Sequence, residues 1–299
     1  MQTNKILKKI IIGTWSWSAY KPVSKKIIEN VFDCCLKQKF LEFDTAPNYI
    51  GAEKILSEFK KDNKNILINT KCGWDQHMKK NFNEKSLIYG LERALDLFKN
   101  INVMQLHNPR NEIKNWNRVF NLLEKYKEKR YIKLIGISLA RNHYFPKKIM
   151  NKFDFIQDEF NLLRVAPYFK MNNFKKILAI RSPFANGILT TNFSNKTKFS
   201  KNDQRYSWLY GQRLKTINKQ KKIIQSLTDL SIESFATNFV FSFSFVDKAI
   251  FGIRTVRHID ELIQNIENFK KLRSSLVKKI IYLNTKNDLF CKNIYRYNN

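Results

Sequence analysis

Short apolar runs rich in β-branched and aromatic residues alternate along the chain with longer amphipathic, Lys-rich stretches. The short runs predict strands at residues 9–15, 40–45, 65–71, 102–107, 133–138, 155–160, 177–182 and 249–254. The stretches between them predict helices at 24–38, 52–60, 84–99, 112–129, 141–151 and 168–175, two more within 212–238, and another near 256–269. Runs such as Ile10-Ile11-Ile12 are apolar on both faces, the pattern of parallel strands covered by helices. Eight strand–helix units predict an α/β protein, a closed (β/α)8 TIM barrel. The expectation is a single domain over 1–299, with a core near 9–267 and a C-terminal helical tail over 268–299. The competing arrangement is a doubly wound open sheet. It calls for a Gly-rich phosphate turn after the first strand, and Gly13-Thr14-Trp15-Ser16 is not one. No P-loop, internal repeat or linker is visible.

Composition changes this picture little, and charge changes it more. The 299 residues are 43% hydrophobic and 14% aromatic, enough for a large core, which excludes wholesale disorder. No apolar run approaches the ~20 residues a bilayer demands, so no membrane-spanning helix is expected. The opening Met-Gln-Thr-Asn-Lys-Ile-Leu-Lys-Lys has charges but no apolar centre, so no signal peptide is predicted. Cys34, Cys35, Cys72 and Cys291 form no CxxC pair, and the expectation is a reduced, cytoplasmic protein. Without a secretory signal the sequons at Asn192 and Asn195 carry no meaning.

The formal charge is +30, from 55 Lys+Arg against 25 Asp+Glu. Such a surface attracts polyanions, but the basic residues run from Lys5 to Arg296 without forming an arm or cluster. Lys, Asn, Ile and Phe are abundant while Gly numbers 8 and Pro 6, a joint bias that loads a surface with Lys without selection for it. No dedicated nucleic-acid partner is therefore expected. The positive field favours a small anionic ligand.

In a barrel of this type reactive groups gather at the C-terminal ends of the strands. The second strand ends Phe43-Asp44-Thr45-Ala46 and runs into Tyr49, the third ends Thr70-Lys71-Cys72-Gly73, and the fourth ends Leu106-His107-Asn108-Pro109. An Asp, a Tyr, a Lys and a His thus share one rim. Singly, each has a plain structural role: Asp44 a helix cap, Lys71 a solvated strand end, His107 a turn residue, Tyr49 packing. Together they suit proton donation to a carbonyl. A neighbouring ammonium lowers a phenol's pKa, a carboxylate keeps that ammonium charged, and an imidazole orients the carbonyl oxygen. The set holds no activated nucleophile and no metal-ligand cluster, so no metal is expected. A proton donor of this kind calls for an external hydride, hence a nicotinamide cofactor.

These residues carry a resemblance that extends over nearly the whole chain. The sequence resembles an aldo/keto reductase through Gly13-Thr14-Trp15, Phe43-Asp44-Thr45-Ala46 with Tyr49-Ile50-Gly51-Ala52-Glu53, Thr70-Lys71-Cys72-Gly73 and Leu106-His107-Asn108-Pro109. Further motifs are Ile135-Gly136-Ile137-Ser138, the segment Arg181 to Leu189, and Ile250-Phe251-Gly252-Ile253-Arg254. Six of the eight glycines fall inside them. The resemblance implies Tyr49 as general acid/base, Lys71 and Asp44 tuning it, and His107 orienting the carbonyl. It implies an extended NAD(P)(H) along the barrel mouth, NADP(H) preferred and NAD(H) the alternative. Gly13, Thr14 and Trp15 belong to the implied cofactor cradle. Ser138 and Gln157 match positions that hold the nicotinamide carboxamide, with Asn161 just beyond. Arg181, Ser182, Pro183, Gly187 and Leu189 follow the seventh strand, and Gly252, Ile253, Arg254 and Thr255 match the loop at the adenine ribose phosphate, with Glu261 beside the adenine. Arg254, with Arg257 nearby, suits a 2′-phosphate.

Four positions depart from the family pattern. Arg181 stands where an aromatic commonly stacks on the nicotinamide, Leu139 replaces an Asn, Phe251 replaces a Pro, and Leu262 falls where an adenine-binding Asn is common. Trp15, Trp17 and Tyr20, Trp74 and His77, and the segment 199–211 are the expected pocket wall, with Trp17 and Trp74 as its substrate residues. Such aromatic walls accept many carbonyls. The tail, with Tyr282, Phe290 and Tyr295, is expected to form a closing helix over the site. The leading expectation is reduction of an aldehyde, ketone or sugar to an alcohol, or the reverse. The alternative is a catalytically weak, cofactor-binding regulatory relative.

Overall fold

The computed structural model describes residues 2–19, 23–171 and 174–287. In chain order the strands are β1 (Ile10–Gly13), β2 (Glu42–Asp44), β3 (Leu67–Cys72), β4 (Ile101–His107), β5 (Ile132–Ser138), β6 (Phe155–Glu159), β7 (Ile177–Arg181) and β8 (Lys248–Gly252). The helices are α1 (Gln2–Leu7), α2 (Lys25–Lys37), α3 (Ala52–Asp62), α4 (Glu84–Phe98), α5 (Trp116–Glu128), α6 (Lys147–Met150), α7 (Ala166–Lys170), α8 (Gly211–Gln225), α9 (Ile232–Phe241), α10 (Val256–Glu267) and α11 (Ser274–Lys286). The eight strands pair in parallel in sequence order, and β8 returns to β1 through Ile10–Ala249 to Gly13–Gly252. The result is the closed (β/α)8 barrel expected from the alternating pattern.

The outer helices form where apolar residues recur every three or four positions. On α2, Ile28, Val31, Phe32 and Cys35 are buried, and Ser24 caps the helix by accepting from the Ile27 amide. On α4, Leu87, Leu91, Ala94 and Phe98 make the buried stripe, below an Asn83 cap. In the strands, successive side chains alternate, so every second residue points into the barrel. Ile11, Val103, Phe155, Ala179 and Ile250 form a small apolar cluster of their own, separate from the large one under the helices. Two residues further along several of these strands stand the inward polar groups Gln105, Gln157 and Arg181. Gly136 leaves room for one of them, since a Cβ there would lie 2.8 Å from both Gln105 Cγ and Val103 Cγ1.

Three elements differ from the sequence expectation. The helix expected over 141–151 shrinks to α6, because Pro146 holds extended backbone at its start. Helix α1, which the pattern does not predict, has no acidic residue in its first turn and buries Ile6. In the tail, α11 buries Ile280, and Asn284 donates to the Leu162 carbonyl (3.0 Å), so this helix is tied to the turn after β6. Tyr282 is exposed. Phe290 and Tyr295, like Tyr20, lie outside the described residues. No described helix is long and apolar enough to cross a membrane.

Candidate active site

A cleft of about 900 Å³ opens at the C-terminal mouth of the barrel, near the upper end of the roughly 300–1,000 Å³ typical of ligand sites. Asp44, Lys71 and His107 come together there because β2, β3 and β4 are neighbours and these residues all end inward-facing rows. Lys71 is buried and places Nζ 2.7 Å from Asp44 Oδ1 and 2.7 Å from the Thr45 carbonyl. The other carboxylate oxygen of Asp44 accepts from Gln105 Nε2 at 2.9 Å and Gln157 Nε2 at 2.8 Å. Three donors therefore hold one carboxylate, which in turn holds the ammonium.

Tyr49 follows on the loop after β2, and the Lys71 ammonium lies 5.0 Å from its ring centroid. Burial pushes the phenol upward more than Lys71 pulls it down, so Tyr49 titrates above its ordinary value of 10.0. This reverses the shift expected from the ammonium alone, because desolvation at the floor of the cleft outweighs the charge. Lys71 is pushed down by burial, yet Asp44 and Tyr49 outweigh it and hold the ammonium above 10.5. The phenol stays protonated beside a cation that is ready to stabilise its anion.

His107 is held in one tautomer. Trp74 Nε1 donates to His107 Nδ1 at 2.9 Å, so the proton of the neutral ring sits on Nε2. Burial first, then Lys71, Arg181 and Lys80, lower its pKa well below 6.5. The unfolded chain takes up this proton near pH 6.5 and the folded chain does not, so stability falls as pH drops through that value. We expect His107→Gln to flatten the loss of Tm between pH 7 and 5 in thermal melts. A residual slope remains from His258, which burial also depresses. An unchanged slope would contradict a neutral, buried His107.

The remaining expected residues divide clearly. Gly13, Trp15, Ser138, Gln157, Arg181 and Ser182 line the cleft, as do Pro183, Gly187, Gly252, Ile253, Arg254 and Glu261. Thr14, Leu189 and Thr255 do not. Thr14 is buried and donates to the Asp44 carbonyl at 3.1 Å, Leu189 is buried, and Thr255 is the N-cap of α10. Ser138 Oγ donates to Gln157 Oε1 at 2.9 Å, so these two brace one another and, through Gln157, Asp44. Asn161 turns away to the Ser182 carbonyl.

Neither expected substrate tryptophan walls the cleft. Trp17 is buried with Nε1 on the Ile253 carbonyl at 2.8 Å, where it supports the loop after β8, and Trp74 stands behind His107. Of the segment 199–211, Gln204 and Arg205 reach the cleft. The wall is more polar than an aromatic reading suggests.

Several lining groups had no part in the sequence reading: Asn48, Lys80, Arg110, Arg141 and His258. Arg181 donates to the Leu139 carbonyl (2.9 Å) and to Glu159 (3.2 Å), and Arg141 also binds Glu159 at 2.5 Å. Across the cleft, Glu233 of α9 accepts from the Thr191 amide at 2.6 Å and Lys221 donates to the carbonyls of Thr190 and Phe193. These contacts pin the segment after β7 along the cleft. Among the described residues, seven Lys and Arg side chains line it against three carboxylates, Asp44, Glu233 and Glu261. Among the described residues no group of three His, Cys, Asp or Glu could hold a metal ion.

Fold and site together define a (β/α)8-barrel scaffold with its polar chemistry at the C-terminal mouth. The aldo/keto reductase family model matches residues 9–283, and the chain belongs to this family of oxidoreductases, whose members generally use nicotinamide cofactors. Among solved structures, the glycerol dehydrogenase from Gluconobacter oxydans superposes with a TM-score of 0.72 at 18% identity, covering 92% of this chain and 91% of its own. The aldo-keto reductase from Bacillus halodurans in its holo form gives 0.71 at 15% identity, with 92% and 91% coverage. These likenesses concern the fold. No curated protein matches the sequence.

Proposed function

We propose that the protein transfers a hydride between NADP(H) and a small carbonyl or alcohol, with Tyr49 giving or taking the proton. One observation carries this reading: a protonated phenol at the cleft floor, backed by the Lys71–Asp44 pair and flanked by the Nε2–H of His107. His107 orients the carbonyl oxygen, Tyr49 protonates it as charge develops, and Lys71 stabilises the phenolate left behind. Asp44 keeps Lys71 charged and in place.

The residues present fit a phosphorylated dinucleotide. Thr255 caps α10 without a side-chain hydrogen bond, so the Val256 and Arg257 amides remain open to an anion while the His258 amide donates to the Thr255 carbonyl at 3.1 Å, and no acidic residue stands in that turn. Arg254 and Arg257 line the same end, with Arg257 paired to Glu261 at 2.7 Å. Arg181, Ser138 and Gln157 would face the nicotinamide end. When bound, the cofactor supplies or accepts the hydride.

Fluorescence titration at physiological salt tests this. NADPH is expected to bind in the micromolar range and more tightly than NADH. Arg254→Met should weaken NADPH about tenfold and leave NADH nearly unchanged, the size of one charge-assisted contact of about 1.5 kcal/mol. Equal losses for both cofactors would remove the 2′-phosphate role. The regulatory alternative draws on the unusual Arg181, Leu139 and Leu262. Tight cofactor binding without turnover of any aldehyde, ketone or sugar would favour it.

A further inference from the structure

The flank of the cleft beside Tyr49 and His107 is built from the loops after β3 and β4, and the charged side chains it turns to the cleft are both basic. Lys80 and Arg110 line it together with Asn48 and Asn108. The carboxylates among the described residues that line the cleft are all engaged elsewhere. Asp44 is fully engaged by Lys71, Gln105 and Gln157, Glu233 is bound to Thr191, and Glu261 is paired with Arg257.

Lys80 is held in place. It forms an antiparallel bridge with Trp74, the residue whose indole holds His107. The turn between them is fastened by Asp75, whose Oδ1 accepts from the amides of His77 and Lys79 at 2.9 Å each. Glu112, which does not line the cleft, takes Lys80 Nζ on one oxygen at 3.0 Å and the Arg110 amide on the other at 2.5 Å. One carboxylate behind the wall thus anchors both cationic positions. The Arg110 guanidinium itself makes no ion pair or hydrogen bond with the described residues. Lys80 is among the cations that depress the His107 imidazole, and Arg110 lines the same cleft; an ammonium and a guanidinium on one wall suit an oxyanion.

We propose that the substrate is an anionic carbonyl compound, or the matching alcohol, whose carboxylate or phosphate is held by Lys80 and Arg110 while its reacting carbon meets Tyr49 and His107. This rests on the catalytic reading above and narrows it from carbonyls in general to those bearing an oxyanion.

Calorimetry on the full chain at physiological salt, with and without saturating NADP⁺, tests the receptor apart from turnover. Succinate and glycerol 3-phosphate probe carboxylate and phosphate, and butane-1,4-diol and glycerol are their neutral counterparts. At least one anion is expected to bind 10-fold or more tightly than its neutral counterpart, roughly the scale of a charge-assisted contact. Lys80→Met and Arg110→Met should each lower that affinity about fivefold or more, the smaller figure reflecting solvent screening. Lys125→Met, on the outer helix α5, should change nothing. Whichever anion binds identifies the carboxylate or the phosphate class. In steady-state assays, succinic semialdehyde against butanal and glyceraldehyde 3-phosphate against glyceraldehyde should show the same preference, and the two variants should raise KM with little change in kcat. Equal binding and turnover of charged and neutral partners, or insensitivity to both variants, overturns the proposal and leaves the oxidoreductase reading standing. Anion binding that depends on Lys80 and Arg110, with no carbonyl turned over, does the opposite.

Discussion

Tyr49→Phe is expected to abolish turnover, lowering kcat/KM about 10²- to 10⁴-fold, the range that a positioned general acid contributes. The substitution removes one oxygen from a ring that otherwise keeps its contacts, including its edge approach to His107 at a centroid distance of 6.3 Å. Lys71 loses the support that Tyr49 gave it, but its 2.7 Å contact with Asp44 and the two amides on Asp44 remain, so the floor of the cleft stays formed. NADPH affinity, read by fluorescence, should change less than twofold. That split between turnover and binding separates a proton donor from a packing residue. A variant that keeps a tenth or more of the parent activity would remove Tyr49 from the role. Lys71→Met gives a complementary test, because it removes the cation proposed to stabilise the phenolate and also leaves Asp44 buried without its charge partner. It should lose activity and stability together, whereas Tyr49→Phe should lose activity alone.

The barrel was legible in the sequence because buried parallel strands leave short apolar runs that no surface element imitates. The clustering of the rim residues was legible for a related reason: Asp44, Lys71 and His107 each end such a run, and closure of the sheet brings successive strand ends together. Strand ends shifted by a residue or two, as at β1, which stops at Gly13 while Thr14 bonds to the Asp44 carbonyl instead. Gln105 was missed although its signal was present. It lies two residues before His107, which in a strand means the same face, and so it reaches Asp44. Glu159 stands in the same relation to Gln157. Trp17 misled because composition cannot say where an indole N–H finds its acceptor, and here that is the Ile253 carbonyl inside the protein. Lys80 and Arg110 carry no sequence signal in a chain with 55 Lys and Arg. Only the shared anchor at Glu112 and the lining of the cleft distinguish them from the solvated majority.

Glu159→Gln is expected to destabilise the fold by about 3–5 kcal/mol, the scale for removing one member of a buried charge network. Glu159 is fully buried at the end of β6 and serves two guanidinium groups, Arg141 and Arg181, whose side chains are only 15% and 20% exposed. Burial alone would raise its pKa, but Arg141, Arg181 and Arg164 overcome this and hold it at about 2. The neighbouring Asp158 does not take over, because it is shifted upward by burial and is already engaged by Tyr144 and Arg164. A neutral amide would leave the pair of arginines without their counter-charge inside the barrel wall. In thermal melts at pH 7 the loss should appear as a drop in Tm on the order of 10 °C. The sign of the pH dependence follows from the depressed pKa. The parent's advantage is complete above its ordinary value of 4.5 and disappears as pH falls toward 2. Adding Arg141→Met to Glu159→Gln should recover part of the loss, since one orphaned cation goes with it. Arg181 would keep only its bond to the Leu139 carbonyl, so NADPH affinity should also weaken if this guanidinium lies against the nicotinamide. A Tm within 2 °C of the parent would show that the arginines are balanced by groups other than Glu159. A large Tm loss with unchanged NADPH affinity would instead place Arg181 in the wall and away from the cofactor.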